Sequence, residues 1–338
     1  MHSRKFACLC FRNYPITTKR YVSTRRLTNV EVRRKRNELF DLEKQRQTSL
    51  VQRVEKIEVQ YNGLPELCTL IMNKGMSTPY NCAMHMTEHI MNQAVLALVN
   101  GELWDMHRPL TEDCELSFLH FRDEDPRTVN KAFWRSCSFI LGSVLETAFK
   151  DDFYIQLCSF PKPDVRSGSF VYDVDLDIEH WSPTSVELRC MSQIGARMKE
   201  QDLNFERLDI TSDKAEEMFI DNEYKLNQIP SITSKSRSGS HLTVYRLGEH
   251  IDISRGPMIA STTFLNRFDI TAVHKLNNSV SNTMYRVQGV GLPTQLMLHY
   301  WTYDQLVNRA KTFNRALVPG TEGLHHNKHT ESVRQIGK

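Results

Sequence analysis

The chain has 338 residues, 40% hydrophobic and 25% charged, which is the balance of a soluble globular protein with room for two domains. No apolar run approaches the roughly 20 residues that a membrane span needs, so no membrane span is expected. The formal charge of +3 is uneven, because residues 1–26 hold seven cations (Arg4, Lys5, Arg12, Lys19, Arg20, Arg25, Arg26) and no acid, leaving about −4 on the rest.

That basic, acid-free, Ser/Thr-bearing start reads as a mitochondrial transit peptide over 1–26, cut around 21–26. The other reading is a basic arm that stays on the protein and touches nucleic acid. Residues 27–53 form a basic extension, expected to be a charged helix with few apolar anchors (Leu39, Phe40, Leu42) and so not stabilised by a domain core. It is expected to be solvated, or to lie on an RNA backbone or a partner protein.

From residue 54 the texture changes. KIEVQYNG and CTLIMNKG alternate like strands, and STPYNCAMHMTEHIMNQA reads as one helix with Pro79 near its start. AVLALVNGELWD turns at Asn100-Gly101, and CELSFLHF is a further strand. Residues 54–125 are thus an α+β sheet-on-helix unit, closed by the polar break Asp123-Glu124-Asp125-Pro126. A second unit spans 127–312. It holds the helix around FWRSCSFILG, the strand GSFVYDVDLD, two helical segments (182–202 and 212–229), strands to about residue 290 and a last helix near YWTYDQLVNRAKTFNRAL. Residues 313–338 are expected to be a disordered tail.

Candidate chemistry is thin. His85 and His89 are one helical turn apart but lack a third metal ligand, and the tail run HHNKH is weaker still, so no metal is expected. No GxxxxGK[ST], GxGxxG or GxSxG is present, and no cofactor or small-molecule substrate is expected. The eight cysteines are scattered with no CxxC, which fits free thiols in a reducing compartment. On the helix at 133–148, Phe133, Cys137, Ile140, Leu141, Val144 and Ala148 share one side. Arg135, Ser138, Phe139 and Gly142 share the other, expected to face solvent, a cleft or a partner.

The stretches IEVQYNG, STPYNCAMHMT and VNGELWDMHRPLTEDCELSFLHF resemble a TGS domain, the ubiquitin-like β-grasp module of threonyl-tRNA synthetase. FWRSCSFILGSVLE, SFVYDVDL, AEEMFIDNEYKLNQI, VYRLGEHIDISRGPMI and MYRVQGVGL resemble the editing domain of threonyl- and alanyl-tRNA synthetases. The resemblance runs in family order over about 54–300 and implies an α+β fold of those two domains behind the charged N-terminal helix. The family's editing site uses an HxxxH pair and a Cys and a His in a CRGPH-like segment to hydrolyse mischarged seryl-tRNA. The matching positions here are Arg135, Phe139, Ser254 and Met258, none of which keeps the family's residue. Where the family enters its aminoacylating core, about 20 residues of tail follow here, so aminoacylation is not expected.

These features together resemble a family of mitochondrial large-subunit ribosomal proteins similar to a truncated threonyl-tRNA synthetase. That implies a non-enzymatic role in the mitochondrial matrix, in contact with large-subunit rRNA and other mitochondrial ribosomal proteins. The expected RNA-phosphate ligands are Arg33, Arg34, Lys35, Arg36, Lys44 and Arg46. The alternatives are a free-standing trans-editing deacylase and a non-ribosomal RNA-binding regulator.

Overall fold

The computed structural model describes residues 26–318 except 52, 65, 237–238 and 277–282. The expected transit peptide apart from Arg26, residues 319–338 of the expected tail, and the HHNKH run lie outside the described residues.

Helix α1 (Asn29–Ser49) starts at a capping box in which Thr28 and Glu31 satisfy each other's backbone N–H groups. The expectation that this helix stands off the domain core is corrected. Val32, Arg36, Phe40 and Glu43 form a buried stripe at helical spacing, and Phe40 joins the cluster of Leu208, Ile210, Met218 and Ile251. Mean polarity hid a narrow but sufficient apolar seam.

The first unit contains β1 (Lys56–Tyr61), β2 (Cys68–Asn73), α2 (Pro79–Met86), α3 (Glu88–Gln93), β3 (Leu96–Val99), β4 (Glu102–Trp104) and β5 (Cys114–Leu119). Its sheet runs β2-β1-β5-β3-β4, with β1 parallel to β5 and every other pairing antiparallel, as in a β-grasp. Ile57, Val59 and Tyr61 alternate inward along β1, the signature of a half-buried strand. Asn100 (φ 50°) and Gly101 (φ 76°) make the β3–β4 turn, a two-residue hairpin that needs positive φ at both centres. The single helix expected over 77–94 is two. Thr87 is extended (φ −151°, ψ 151°) and its hydroxyl caps α3 at the Ile90 N–H, so His85 and His89 sit on separate helices, both exposed.

The second unit is built around α4 (Arg127–Ala148). It continues through β6 (Gln156–Ser159), β7 (Phe170–Asp175), α5 (Ser185–Gln201), β8 (Glu206–Thr211), α6 (Ser212–Met218) and α7 (Glu223–Ser234). Then come β9 (His241–Leu247), β10 (His250–Ile253), β11 (Leu265–Lys275), β12 (Met284–Pro293) and α8 (Tyr300–Arg309). Two antiparallel sheets form, β11-β12-β7-β6 and β10-β9-β8, and α4 touches both, against β7 and β12 on one side and β10 on the other. The α+β class holds throughout.

Period-2 alternation splits β7 between two layers. Phe170 packs on Trp134 of α4, whereas Asp173 faces away and takes a two-pronged ion pair from Arg286, both contacts at 2.8 Å. Arg286 also donates to the carbonyls of Asn314 and Ala316, and Gln288 donates to those of Ala310 and Thr312. These bonds strap residues 310–316 onto the outer face of the sheet, and Asn314 and Val318 are buried. The expected disorder from residue 313 is therefore corrected for 313–318: backbone carbonyls, which composition does not reveal, hold this segment in place.

Candidate functional site

The four positions matching the editing site converge where α4 meets the loop after β10. Phe139 is fully buried, with ring centroids 4.7 Å from His250, 5.9 Å from Phe205 and 6.4 Å from Tyr245. The expected outward orientation of Phe139, Ser138 and Gly142 is corrected, since all three are buried. Strand β10 and Phe205 cover the helix side that the wheel left free, and α4 is enclosed on nearly every side from Ser136 to Glu146. Gly142 marks the closeness of that cover: a Cβ there would lie 2.9 Å from the Tyr172 ring and 3.1 Å from His250 Nε2.

Arg135 is half-buried and donates from Nη1 to the Pro257 carbonyl at 2.9 Å, so it clasps the loop carrying the other two positions. Burial lowers its pKa, and among the described residues no carboxylate pairs with it. Met258 is buried; its N–H donates to Asp105 at 2.8 Å, and its sulfur accepts from the Ser136 hydroxyl at 3.6 Å. The same hydroxyl accepts from the Ile259 N–H at 3.0 Å. Ser254 is buried, and its hydroxyl accepts only a long 3.4 Å bond from the Gly256 N–H. Among the described residues no histidine or lysine lies within hydrogen-bond reach of that hydroxyl to activate it. Gly256 is required by its own geometry: φ is +63°, and a Cβ would fall 1.9 Å from the Tyr245 hydroxyl.

The surroundings are a buried polar network that sequence reading missed. Glu146 takes the Nδ1 of His250 at 2.6 Å and the Nη1 of Arg36 at 3.0 Å. Burial pushes the Glu146 carboxyl up, but His250, Arg36 and Arg33 outweigh it and hold it at about 2. Asp105, from the first unit, accepts from the Tyr245 hydroxyl at 2.9 Å, the Arg207 guanidinium at 3.2 Å and the Met258 N–H, and so ties the two units together. Asp252 pairs with Lys225 at 2.6 Å and accepts from Tyr172. One signal was available: Glu146 is the single charge in the apolar run SFILGSVLETAF.

The chemistry this permits is limited. A guanidinium, a phenyl ring and a thioether cannot replace imidazole or thiolate as zinc ligands, nor act as acid or base near neutral pH. Among the described residues, no three His, Cys, Asp or Glu side chains group to hold a metal.

The basic residues of α1 are occupied too. Arg36 is buried against Glu146, and Arg33 is largely buried, donating to the Glu146 carbonyl at 2.5 Å and lying 3.8 Å from Glu249. These two face the domain and are already held by its carboxylates and carbonyl groups. Arg34 pairs with Glu38 at 3.8 Å, Lys35 with Asp221 at 3.5 Å, Lys44 with Glu206 at 2.5 Å and Arg46 with Glu43 at 2.6 Å.

Residues 64–120 match the family model of the TGS domain. Large ribosomal subunit protein mL39 of Drosophila melanogaster is 48% identical over 287 residues, which cover 84% of this chain and 86% of the fly protein. The mitochondrial threonine–tRNA ligase 1 of Arabidopsis thaliana is 30% identical over 253 residues, covering 72% of this chain but 33% of the ligase. Cytoplasmic threonine–tRNA ligase 2 of Homo sapiens is 30% identical over 228 residues, 67% of this chain and 26% of the ligase.

Proposed function

The chain belongs to the family of large ribosomal subunit protein mL39, and from that membership we propose that it is a structural, non-enzymatic component of the large subunit of the mitochondrial ribosome. The observation that carries this is the fly relative, which the chain matches along 86% of its length. The filled editing-site positions agree with it: Phe139 and Met258 are core residues, Arg135 is a clasp, and Ser254 has no base.

The basic, acid-free residues 1–26 support import into the matrix, and the protein's partners there are large-subunit rRNA and neighbouring ribosomal proteins. On α1, phosphate contact is left to the exposed flanks, Arg34, Lys35, Lys44 and Arg46, and each would have to give up an intramolecular carboxylate. We divide the chain into a TGS unit over 54–125 and an editing-like unit over 127–312.

Sucrose-gradient sedimentation of mitochondrial lysate is the test. The protein co-sediments with the large subunit, and residence only at the top of the gradient would refute the assignment. Purified protein incubated with mischarged seryl-tRNA releases no serine above the buffer blank; release sensitive to Ser254→Ala would restore an enzymatic reading.

A further inference from the structure

The start of helix α8 and the residues just before it turn large apolar side chains to solvent. Met297 is 86% exposed, and Tyr300 and Trp301 are each 63% exposed. At about 100° per residue, the core-facing positions Tyr303, Leu306, Val307 and Ala310 centre on one side of the helix, and Trp301 falls directly opposite. The inward side is fully used: Tyr303 donates to Asp269 at 2.7 Å, and the Ala310 carbonyl accepts from Thr271 at 2.8 Å. No packing need of the domain accounts for the outward Trp301 ring, whereas Tyr300, about 100° round the helix from it, packs on His299 with ring centroids 4.5 Å apart.

Basic side chains lie before and after the helix, Arg122 being followed in sequence by Asp123, Glu124 and Asp125. Arg122 donates to the Gln295 carbonyl at 3.3 Å, two residues before Met297. Arg309 donates to the Arg166 carbonyl at 2.8 Å, and Lys311 to the Asn308 side chain at 2.8 Å. Arg315 follows on the strap. Among the described residues none of these four cations has a carboxylate within 4.0 Å, whereas all six basic residues expected to bind RNA from α1 do. Asp304, one helical turn on from Tyr300 and Trp301, is the one acid on α8.

We infer that this face of α8 binds a single-stranded segment of RNA, with unpaired bases stacked on Trp301 and Tyr300 and phosphates held by Arg122, Arg309, Lys311 and Arg315. The inference rests on the ribosomal reading above and moves its RNA contact from α1 to α8. Charge selects the occupant: a polyanion neutralises four unpaired cations, and a base needs only an exposed π-face, which a convex helix surface supplies. A protein partner would have to bring its own pocket for Trp301.

Fluorescence titration of the full chain with a mixed-sequence single-stranded RNA of about 12 nucleotides tests this, with the RNA length set to a typical single-strand footprint. Trp301 is the one exposed tryptophan of the four, so stacking quenches chiefly its emission. Trp301→Ala abolishes the quench and weakens binding about 10-fold, the range of one lost base stack. The triple reversal Arg309→Glu, Lys311→Glu, Arg315→Glu flattens the salt dependence of binding by about 2 units of slope. Unchanged thermal melting of Trp301→Ala confirms an intact fold. RNA binding that is indifferent to Trp301 overturns the inference. If Trp301→Ala instead blocks entry into the large subunit without altering RNA affinity, the face docks protein and the inference is again overturned, with the ribosomal reading intact. If wild-type protein never reaches the subunit, it is that reading that fails.

Discussion

Arg36, on the N-terminal helix, lies 3.0 Å from Glu146, at the end of the central helix, and both are buried. The pair locks a helix that reads as a solvated appendage onto the middle of the second unit. Removing Arg36 takes one of the charged partners from a buried carboxylate that otherwise keeps His250 at 2.6 Å. Arg36→Met is expected to cost about 3–5 kcal/mol in urea unfolding, the range for a broken buried pair. A loss below about 1 kcal/mol would place the pair with surface bridges instead.

The same carboxylate sets a pH dependence. Glu146 is held at about 2 in the fold against an ordinary value of 4.5. A folded-state value depressed in this way contributes stability that is complete above the unfolded value and lost as pH falls from about 4.5 to about 2. The stability difference between wild type and Glu146→Gln should therefore shrink on acidification from pH 6 through that window. A difference constant down to pH 2 contradicts the assignment of this charge.

Phe139 is a core side chain, its ring packed against Phe205, Tyr245 and His250. Phe139→Ala should cost about 3–5 kcal/mol, the usual penalty for truncating a buried aromatic. Phe139→His puts a polar imidazole into the tightly packed, ring-lined site and should also destabilise. A melting temperature unchanged in both variants would mean that the side chain is not core.

How far these features could be read from the sequence follows from the range of the interactions. The alternation of β1 and β7 and the Asn100-Gly101 turn are local, and residue order predicts them. The orientation of Phe139 is not local. A helix wheel ranks faces by composition, and α4 has apolar or small residues all round because both sheets cover it. The inward turn of Arg33 and Arg36 depends on Glu249 and Glu146, more than 100 residues away. That Arg135, Phe139, Ser254 and Met258 differ from the family's residues is legible position by position, whereas the buried network around them is not, since Asp105, Glu146, Lys225 and Asp252 carry no motif.

Thiol reactivity checks the burial map. Burial raises the Cys137 and Cys158 thiols well above their ordinary range and Cys82 to about 12, while Cys68 and Cys190 are half-buried. Because the thiolate is the reactive form, brief iodoacetamide treatment near pH 8 should label Cys68 and Cys190 and spare the other three. Equal labelling of Cys137 in the folded protein would show that α4 is not enclosed.

Gly256→Ala probes the loop that carries Ser254 and Met258. Its φ of +63° and the 1.9 Å approach to the Tyr245 hydroxyl predict a loss of about 1–3 kcal/mol, from left-handed strain and overpacking. Measured against Tyr245→Phe alone, which already lacks both the clashing oxygen and its bond to Asp105, Gly256→Ala should cost less than it does in the wild type. An equal cost in both backgrounds would assign the whole effect to the backbone.

The most direct measurement is quantitative mass spectrometry of mitochondrial large ribosomal subunits purified through high salt. A structural component is present in a constant ratio to the other large-subunit proteins and stays through the wash. Absence from those particles, with the protein recovered free in the matrix and releasing serine from seryl-tRNA, would contradict the account.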